Sequence, residues 1–330
     1  MQTYSRYPLA LYSFLLCLVC ATSNAQAESP FGYELEVDVV YGQGVIAPDG
    51  TSTQRDLMVD VYMPSDKKYS SPRPAVILVH GGAYHRGGRR QPPYKEAGAV
   101  HSRMEDYARM LAPLGYVCFV VEYRLAPELP QPDMKPGGPN LMAVDDVVTP
   151  AGLARTNFAR RAMGLPELAE DQKIILWNAA MASTEDVNKA FDFVRKNAEK
   201  YNIDPDKIAI GGHSAGGGSA LNVAYGLKAP VAATFPLSPP DMIFDLPKVF
   251  NSPDLPPMLL VVSQNDVTAT HEAAPKLIRQ MQSAEADYEF VWVPGFAHFY
   301  PTGAVSLGDD GVRTSVGERV INFLDRHLKK

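Results

Sequence analysis

Hydrophobic positions change their period along the chain. From Tyr33 to Tyr41, Leu35, Val37 and Val39 alternate with Glu34, Glu36 and Asp38, the period of a half-exposed strand. Leu57 to Met63 alternates in the same way and stops at Pro64. The Pro48-Asp49-Gly50 turn chemistry between them predicts an antiparallel pair at a sheet edge. From Ala75 onward the alternation gives way to continuous apolar runs bounded by glycine and proline: Ala75 to Val79, Val117 to Val121, Ile208 to Ile210, Val231 to Leu237, Met258 to Val262, and Phe290 to Val293. Runs of this kind read as parallel strands buried on both faces. Between them apolar residues recur at helical spacing. Val187, Ala190, Phe191 and Val194 follow a Ser183/Asp186 capping pair; Ala274, Leu277, Ile278 and Met281 repeat the pattern, as do Val316, Val320, Phe323, Leu324 and Leu328. Strands alternating with helices predict an α/β fold, a mostly parallel doubly wound sheet with antiparallel N-terminal strands.

Residues 130–182 break this order. They carry Pro130, Pro132, Pro136, Pro139, Pro150 and Pro166, a basic stretch from Arg155 to Arg161, and Trp177, with weak helical periodicity. The segment is too long for an ordinary connection and reads as an insertion at the carboxyl edge of the sheet. It is expected to lie over the site as a lid, with Trp177, Leu141, Met142 and Phe158 as apolar lining.

Composition narrows the classes. A chain of 330 residues with 46% hydrophobic content can bury a large core, and a net charge of −6 argues against nucleic acid as a partner. The cluster Arg86, Arg89, Arg90 and Lys95 is the local exception and reads as a solvated loop. Residues 1–27 have the form of a signal peptide: Arg6, an apolar stretch from Leu9 to Ala21 too short for a comfortable span, and the small-x-small site Ala25-Gln26-Ala27. Cleavage after Ala27 would leave a domain at 28–330, secreted or periplasmic, with no stable membrane insertion. Cys17 and Cys20 fall in the leader, so only Cys118 remains, inside a buried run where it reads as core filling.

The chemistry-bearing residues sit at strand ends. Gly211-Gly212-His213-Ser214-Ala215-Gly216 follows the Ile208 run and precedes a helix-compatible stretch, the strand-turn-helix context of a nucleophile elbow. His80-Gly81-Gly82-Ala83-Tyr84 directly follows the Ala75 run, and its small residues let backbone N–H groups turn inward. The amides of Gly81, Gly82 and Ala83 are the candidate oxyanion donors, with that of Ala215. Asp266 follows the Met258 run as the candidate acid; Asp241 and Asp245 compete from a proline-rich turn. His298 follows the Phe290 run and Pro294-Gly295 as the candidate base. The order Ser214, Asp266, His298 is nucleophile, acid, base. Tyr84, His213 and Trp177 are candidate substrate contacts. No metal-ligand or dinucleotide spacing is present, and no metal or cofactor is expected.

His80 to Tyr84, Glu122-Tyr123-Arg124-Leu125-Ala126-Pro127-Glu128, Ile203-Asp204-Pro205-Asp206-Lys207-Ile208-Ala209-Ile210 and Gly212 to Gly216 together resemble the hormone-sensitive-lipase and carboxylesterase branch of the α/β-hydrolase fold. The resemblance spans about residues 57 to 330 outside the insertion, and implies Ser214 as nucleophile, His298 as base and Asp266 as its partner. Ala83 stands where the third glycine is usual, and Glu122 where an aspartate is usual before Tyr-Arg. The short Ser214 to Asp266 interval leaves no room for a cap there, which brings the chain closer to compact acetyl- and feruloyl-esterase-like members. The expectation is an exported serine carboxylesterase acting on a small or medium ester. The alternatives are an exopeptidase or amidase of the same fold, and a non-catalytic binding module on a hydrolase scaffold.

Overall fold

The computed structural model describes residues 32–65, 71–252 and 254–329, so the expected leader lies outside the described residues. One ten-stranded sheet organises them: β1 (Tyr33–Ile46), β2 (Thr53–Pro64), β3 (Arg73–Val79), β4 (Val117–Val121), β5 (Ile203–His213), β6 (Ala233–Leu237), β7 (Met258–Asn265), β8 (Tyr288–Ala297), β9 (Val305–Gly308) and β10 (Arg313–Ser315). Their spatial order is β1-β2-β4-β3-β5-β6-β7-β8-β9-β10. From β4 to β8 every neighbouring pair is parallel, while β1/β2, β2/β4, β8/β9 and β9/β10 are antiparallel. The two alternating segments pair as the turn chemistry required, and each apolar run becomes a parallel strand, buried in β3 to β7 but with Phe290 and Trp292 of β8 only half-buried. β9 and β10 were not foreseen: they are short and hold few apolar residues, so no periodicity marks them.

Helices cover both faces: α1 (Met104–Leu111), α2 (Pro150–Ala162), α3 (Lys173–Lys196), α4 (Ala215–Leu221), α5 (Thr268–Ser283) and α6 (Val316–Leu328). The two-residue period of a strand divides the core between them. In β3, Ala75, Ile77 and Val79 join a cluster with Val187, Phe191, Leu221 and Leu277, whereas Val76 and Leu78 face Tyr107, Leu111, Val320 and Phe323. Cys118 is a buried free thiol in the second cluster, its pKa raised by burial, in keeping with core filling.

Two expectations change. α3 starts at Lys173, ten residues before Ser183. Ile174 to Ala182 are compatible with helix, and Ser183 and Asp186 are engaged elsewhere: Ser183 Oγ lies 2.7 Å from Ser219 Oγ, and Asp186 pairs with Arg124. The arginine cluster is not simply a solvated loop either. Asp60 is fully buried and accepts from both Arg89 and Arg90 (Arg90 Nε at 2.7 Å), and Arg89 Nε also donates to Glu122 at 3.1 Å. A buried carboxylate needs such partners to remain charged.

The Arg124–Asp186 pair fastens the insertion's entry to the sheet. Arg124 Nε and Nη2 donate to Asp186 at 2.9 and 2.8 Å, and its Nη1 donates to the carbonyls of Val45 and Gln131, each at 3.1 Å. Asp186 is wholly buried and Arg124 nearly so. Removing Asp186 strips the buried Arg124 guanidinium of its main partner and leaves only Glu185, at 3.2 Å, to balance it, a loss toward the lower end of about 3–5 kcal/mol. Asp186→Ala is therefore expected to lower the urea midpoint strongly. An Arg124→Met/Asp186→Leu double variant should recover part of that loss, and a midpoint for the single variant equal to wild type would contradict the assignment.

Candidate active site

β5 ends at His213, and Ser214 follows with φ 54° and ψ −122° before α4 begins at Ala215. A non-glycine residue at positive φ is strained. Here the Ser214 N–H donates to Leu237 O at 2.8 Å and the Ser214 carbonyl accepts from Gly218 N at 3.0 Å, which hold it. Glycine is needed on both sides for space. A Cβ on Gly212 would stand 2.5 Å from Val79 O, and one on Gly216 would collide with the same carbonyl. β3, β5 and α4 thus meet backbone to backbone, and the partly exposed Ser214 hydroxyl stands at a helix N-terminus.

His298 follows β8 directly and is 2% exposed. Its Nε2 lies 2.8 Å from Ser214 Oγ, and its Nδ1 lies 2.6 Å from Asp266 Oδ1. A carboxylate can only accept, so Nδ1 carries the ring proton and Nε2 accepts from the serine hydroxyl. Asp266 follows β7. Its Oδ2 accepts from Ser238 Oγ at 2.5 Å, Ser263 Oγ at 2.8 Å and Ser263 N at 3.2 Å, and its Oδ1 also accepts from Val267 N at 2.8 Å. Burial opposes ionisation of Asp266, but the hydrogen bond and charge of His298 and the two serine hydroxyls outweigh it and hold the carboxyl below its usual range. The competing acids are occupied: Asp241 pairs with Lys276 at 2.5 Å and Asp245 with Lys248 at 2.9 Å.

The loop after β3 passes against the serine. A Cβ on Gly81 would stand 3.1 Å from Ser214 Cβ. Gly82, Ala83 and Tyr84 all have positive φ (124°, 56° and 57°), two of them at a conformational cost, a run suited to turning successive N–H groups to one side. Tyr123 supports this loop, donating its hydroxyl to His80 O at 3.0 Å while its ring stacks on His80 at 4.2 Å. Ala83 and Ala215 border the same pocket as Ser214 and His298.

Such an arrangement can raise the nucleophilicity of a serine, and known structures share its frame. A crystal structure of MGS-M1, an α/β hydrolase enzyme from a Medee basin deep-sea metagenome library, superposes with TM-score 0.54 at 17% identity, over 91% of this chain and 99% of that one. This chain has the α/β-hydrolase fold. Thermogutta terrifontis esterase 2 superposes as well: with butyrate bound it gives TM-score 0.55 at 18% identity, covering 90% of this chain and 94% of that one. Its form phosphonylated by cyclosarin gives 0.52 at 19%, covering 81% and 84%. The BD-FAE family model matches residues 173–231, from the start of α3 through the elbow. No curated protein matches the chain in sequence.

On this α/β-hydrolase frame the pocket lies between two walls. One is built from the inserted segment: Val147, Val148, Thr149, Gly152, Arg155 and Thr156, with Leu176 and Ala180 of α3. The other carries Pro240, Asp241 and Ile243 after β6, and Val267, Thr270, Glu272 and Lys276. Tyr84 lines it too, but the other candidate contacts require correction. Trp177 is fully buried: one position along α3 from Leu176 turns a side chain about 100° away, into the core. Phe158 is 45% exposed, carries the Arg155 guanidinium over its ring at 5.1 Å and does not line the pocket, and Leu141 and Met142 pair with the segment around Phe244 instead. His213 is wholly buried behind the serine, where its Nε2 donates to His298 O at 2.9 Å, so it braces the loop of the candidate base. Sequence reasoning does not single out Ser238 and Ser263, the hydroxyl donors to Asp266. The available signal is a serine directly after each of the two apolar runs nearest before Asp266, Val231 to Leu237 and Met258 to Val262.

Proposed function

We propose that this protein is an exported serine carboxylesterase acting on small to medium acyl esters. The observation that carries the reading is the unbroken Ser214–His298–Asp266 hydrogen-bond chain, at 2.8 and 2.6 Å, opening on a pocket with an apolar wall. Ser214 Oγ attacks the ester carbonyl as His298 Nε2 takes its proton. The amides of Gly82, Ala83 and Ala215 receive the developing oxyanion. His298 then protonates the departing alkoxide, leaving an acyl-enzyme, and activates a water that releases the acid and regenerates Ser214. Asp266 keeps the imidazole in the tautomer this requires. The structures of Thermogutta terrifontis esterase 2 phosphonylated by cyclosarin and bound to propionate or butyrate support a serine-directed phosphonate probe and short acyl groups as the first substrates to try.

A fluorophosphonate should label the wild-type protein, and labelling should vanish in Ser214→Ala. Nitrophenyl esters and the matching anilides, assayed side by side, then separate esterase from amidase. Turnover of anilides alone would overturn the esterase reading, and a folded protein that neither labels nor turns over either series would favour a binding module. Export rests on residues 1–27. The secreted mature chain is expected to begin at Glu28, which N-terminal sequencing checks.

A further inference from the structure

α2 starts from Thr149, whose Oγ1 accepts from Gly152 N at 3.2 Å, and Thr149, Gly152, Arg155 and Thr156 all line the pocket. That spacing is one face of a helix, and Gly152 lies in the middle of it. Glycine is the poorest helix former after proline, so a glycine here calls for a reason. The backbone supplies none, because Gly152 is not among the residues with positive φ. Packing supplies none either. A Cβ on Gly152 would meet only Thr149 Oγ1, at 3.6 Å, an ordinary contact, with nothing else within 4 Å. What the missing side chain leaves open is the pocket itself. Leu176 and Ala180 of α3, the latter another small residue, line the same pocket. Arg155 closes the far side of the stripe, its guanidinium held by both oxygens of Glu96 at 3.0 Å and set over the Phe299 ring.

We propose that Gly152 is a specificity-determining residue: its bare Cα sets how long an apolar group of the substrate ester the pocket lined by α2 and α3 accepts. The proposal rests on the esterase reading and goes beyond it, by assigning chain-length selection to one position of the inserted helix. A side chain there occupies the space the terminal carbons of a longer group would fill. Each methylene refused burial costs about fourfold in kcat/KM. A valine at 152, by excluding two or more methylenes, changes selectivity by about tenfold or more.

The test uses two ester series on the full-length mature protein. In one the acyl group runs from acetyl to octanoyl on nitrophenol; in the other the alcohol runs from methanol to octanol on an acetate. Gly152→Ala and Gly152→Val are compared with wild type by the ratio of kcat/KM for the short and long ends of each series. The expected result is a short-over-long ratio that rises with side-chain size in one of the two series, by about tenfold for valine, and that series tells whether the acyl or the alcohol group lies against Gly152. Thermal unfolding supplies the second readout. A glycine kept only for structure predicts a lower Tm for Gly152→Ala, whereas a glycine kept for the pocket predicts a Tm equal to wild type or higher. If the valine variant fails to fold, Gly152→Ala with Ala180→Val reads the same ratios. Ratios within twofold of wild type in both series overturn the proposal. Wild-type protein that cleaves no ester overturns the esterase reading itself, a separate outcome.

Discussion

Ser214→Ala is expected to lower kcat/KM on a short nitrophenyl ester by a factor on the order of 10⁴ to 10⁶ while the protein stays folded. The backbone at 214 is held by the Leu237 carbonyl and the Gly218 amide, neither of which involves the hydroxyl. Alanine can take the same strained turn, so only the nucleophile is lost. His298→Ala should cost about as much, and the double variant little more, because the two groups act in one step. Asp266→Asn is expected to fall by roughly 10⁴. An amide has one acceptor where the carboxylate has two, and Asp266 uses both oxygens, one toward His298 and one toward Ser238 and Ser263. Whichever way the asparagine turns, an N–H faces a donor, so the favoured imidazole tautomer is lost and some stability with it. Circular dichroism and urea melts of each variant separate the two effects. Near-normal turnover in Asp266→Asn beside an inactive Asp241→Asn would move the acid to Asp241.

The parts of this molecule legible in its sequence are those where burial and chemistry dictate residue type. Strands β3 to β8 lie between two helical layers, so each contains an uninterrupted apolar run. Their parallel course then brings the carboxyl ends of β3, β5, β7 and β8 to one edge, where His80-Gly81-Gly82, Ser214, Asp266 and His298 were already conspicuous. Side-chain direction was not legible. Trp177 and Leu176 are adjacent and both buried, yet only Leu176 also borders the pocket, because the phase of α3 depends on where it starts. That start was misread at Ser183, whose hydroxyl and neighbouring Asp186 imitate a cap but are taken by Ser219 and Arg124. Tertiary partners overrode a local signal. His213 was misplaced for a related reason. Its position beside the nucleophile suggested substrate contact, and only the strand geometry turns it under the His298 loop.

Acid should destabilise this protein from about pH 6.5 downward. His80, His85, His101 and His213 are all buried, at 2%, 0%, 4% and 0% exposure. Burial pushes each imidazole down, His80 and His85 to about 4 and His101 to about 3, and His213 well below the usual range. His298 also disfavours the protonation of both His101 and His213, and His101, its ring 4.1 Å from that of His213, adds to the effect on His213. The folded pKa is depressed in every case, so the stabilisation is present above the unfolded value near 6.5 and is lost as pH falls from there toward 4. Each such group removes about 1.4 kcal/mol per pH unit across that window. All four act in the same direction, so their effects on stability accumulate as pH falls. The depressed Asp266 carboxyl acts in the same direction at lower pH, being lost as pH falls through its folded value. Urea melts followed by tryptophan fluorescence at pH 7.5, 6 and 5 are expected to show a midpoint that drops steeply below pH 6.5. His101→Phe, which keeps the ring packing against Phe299, should make that drop shallower by about one proton. Stability that is flat from pH 7.5 to 5 would mean these imidazoles accept protons within the fold, and the account of a buried, uncharged histidine cluster would fail.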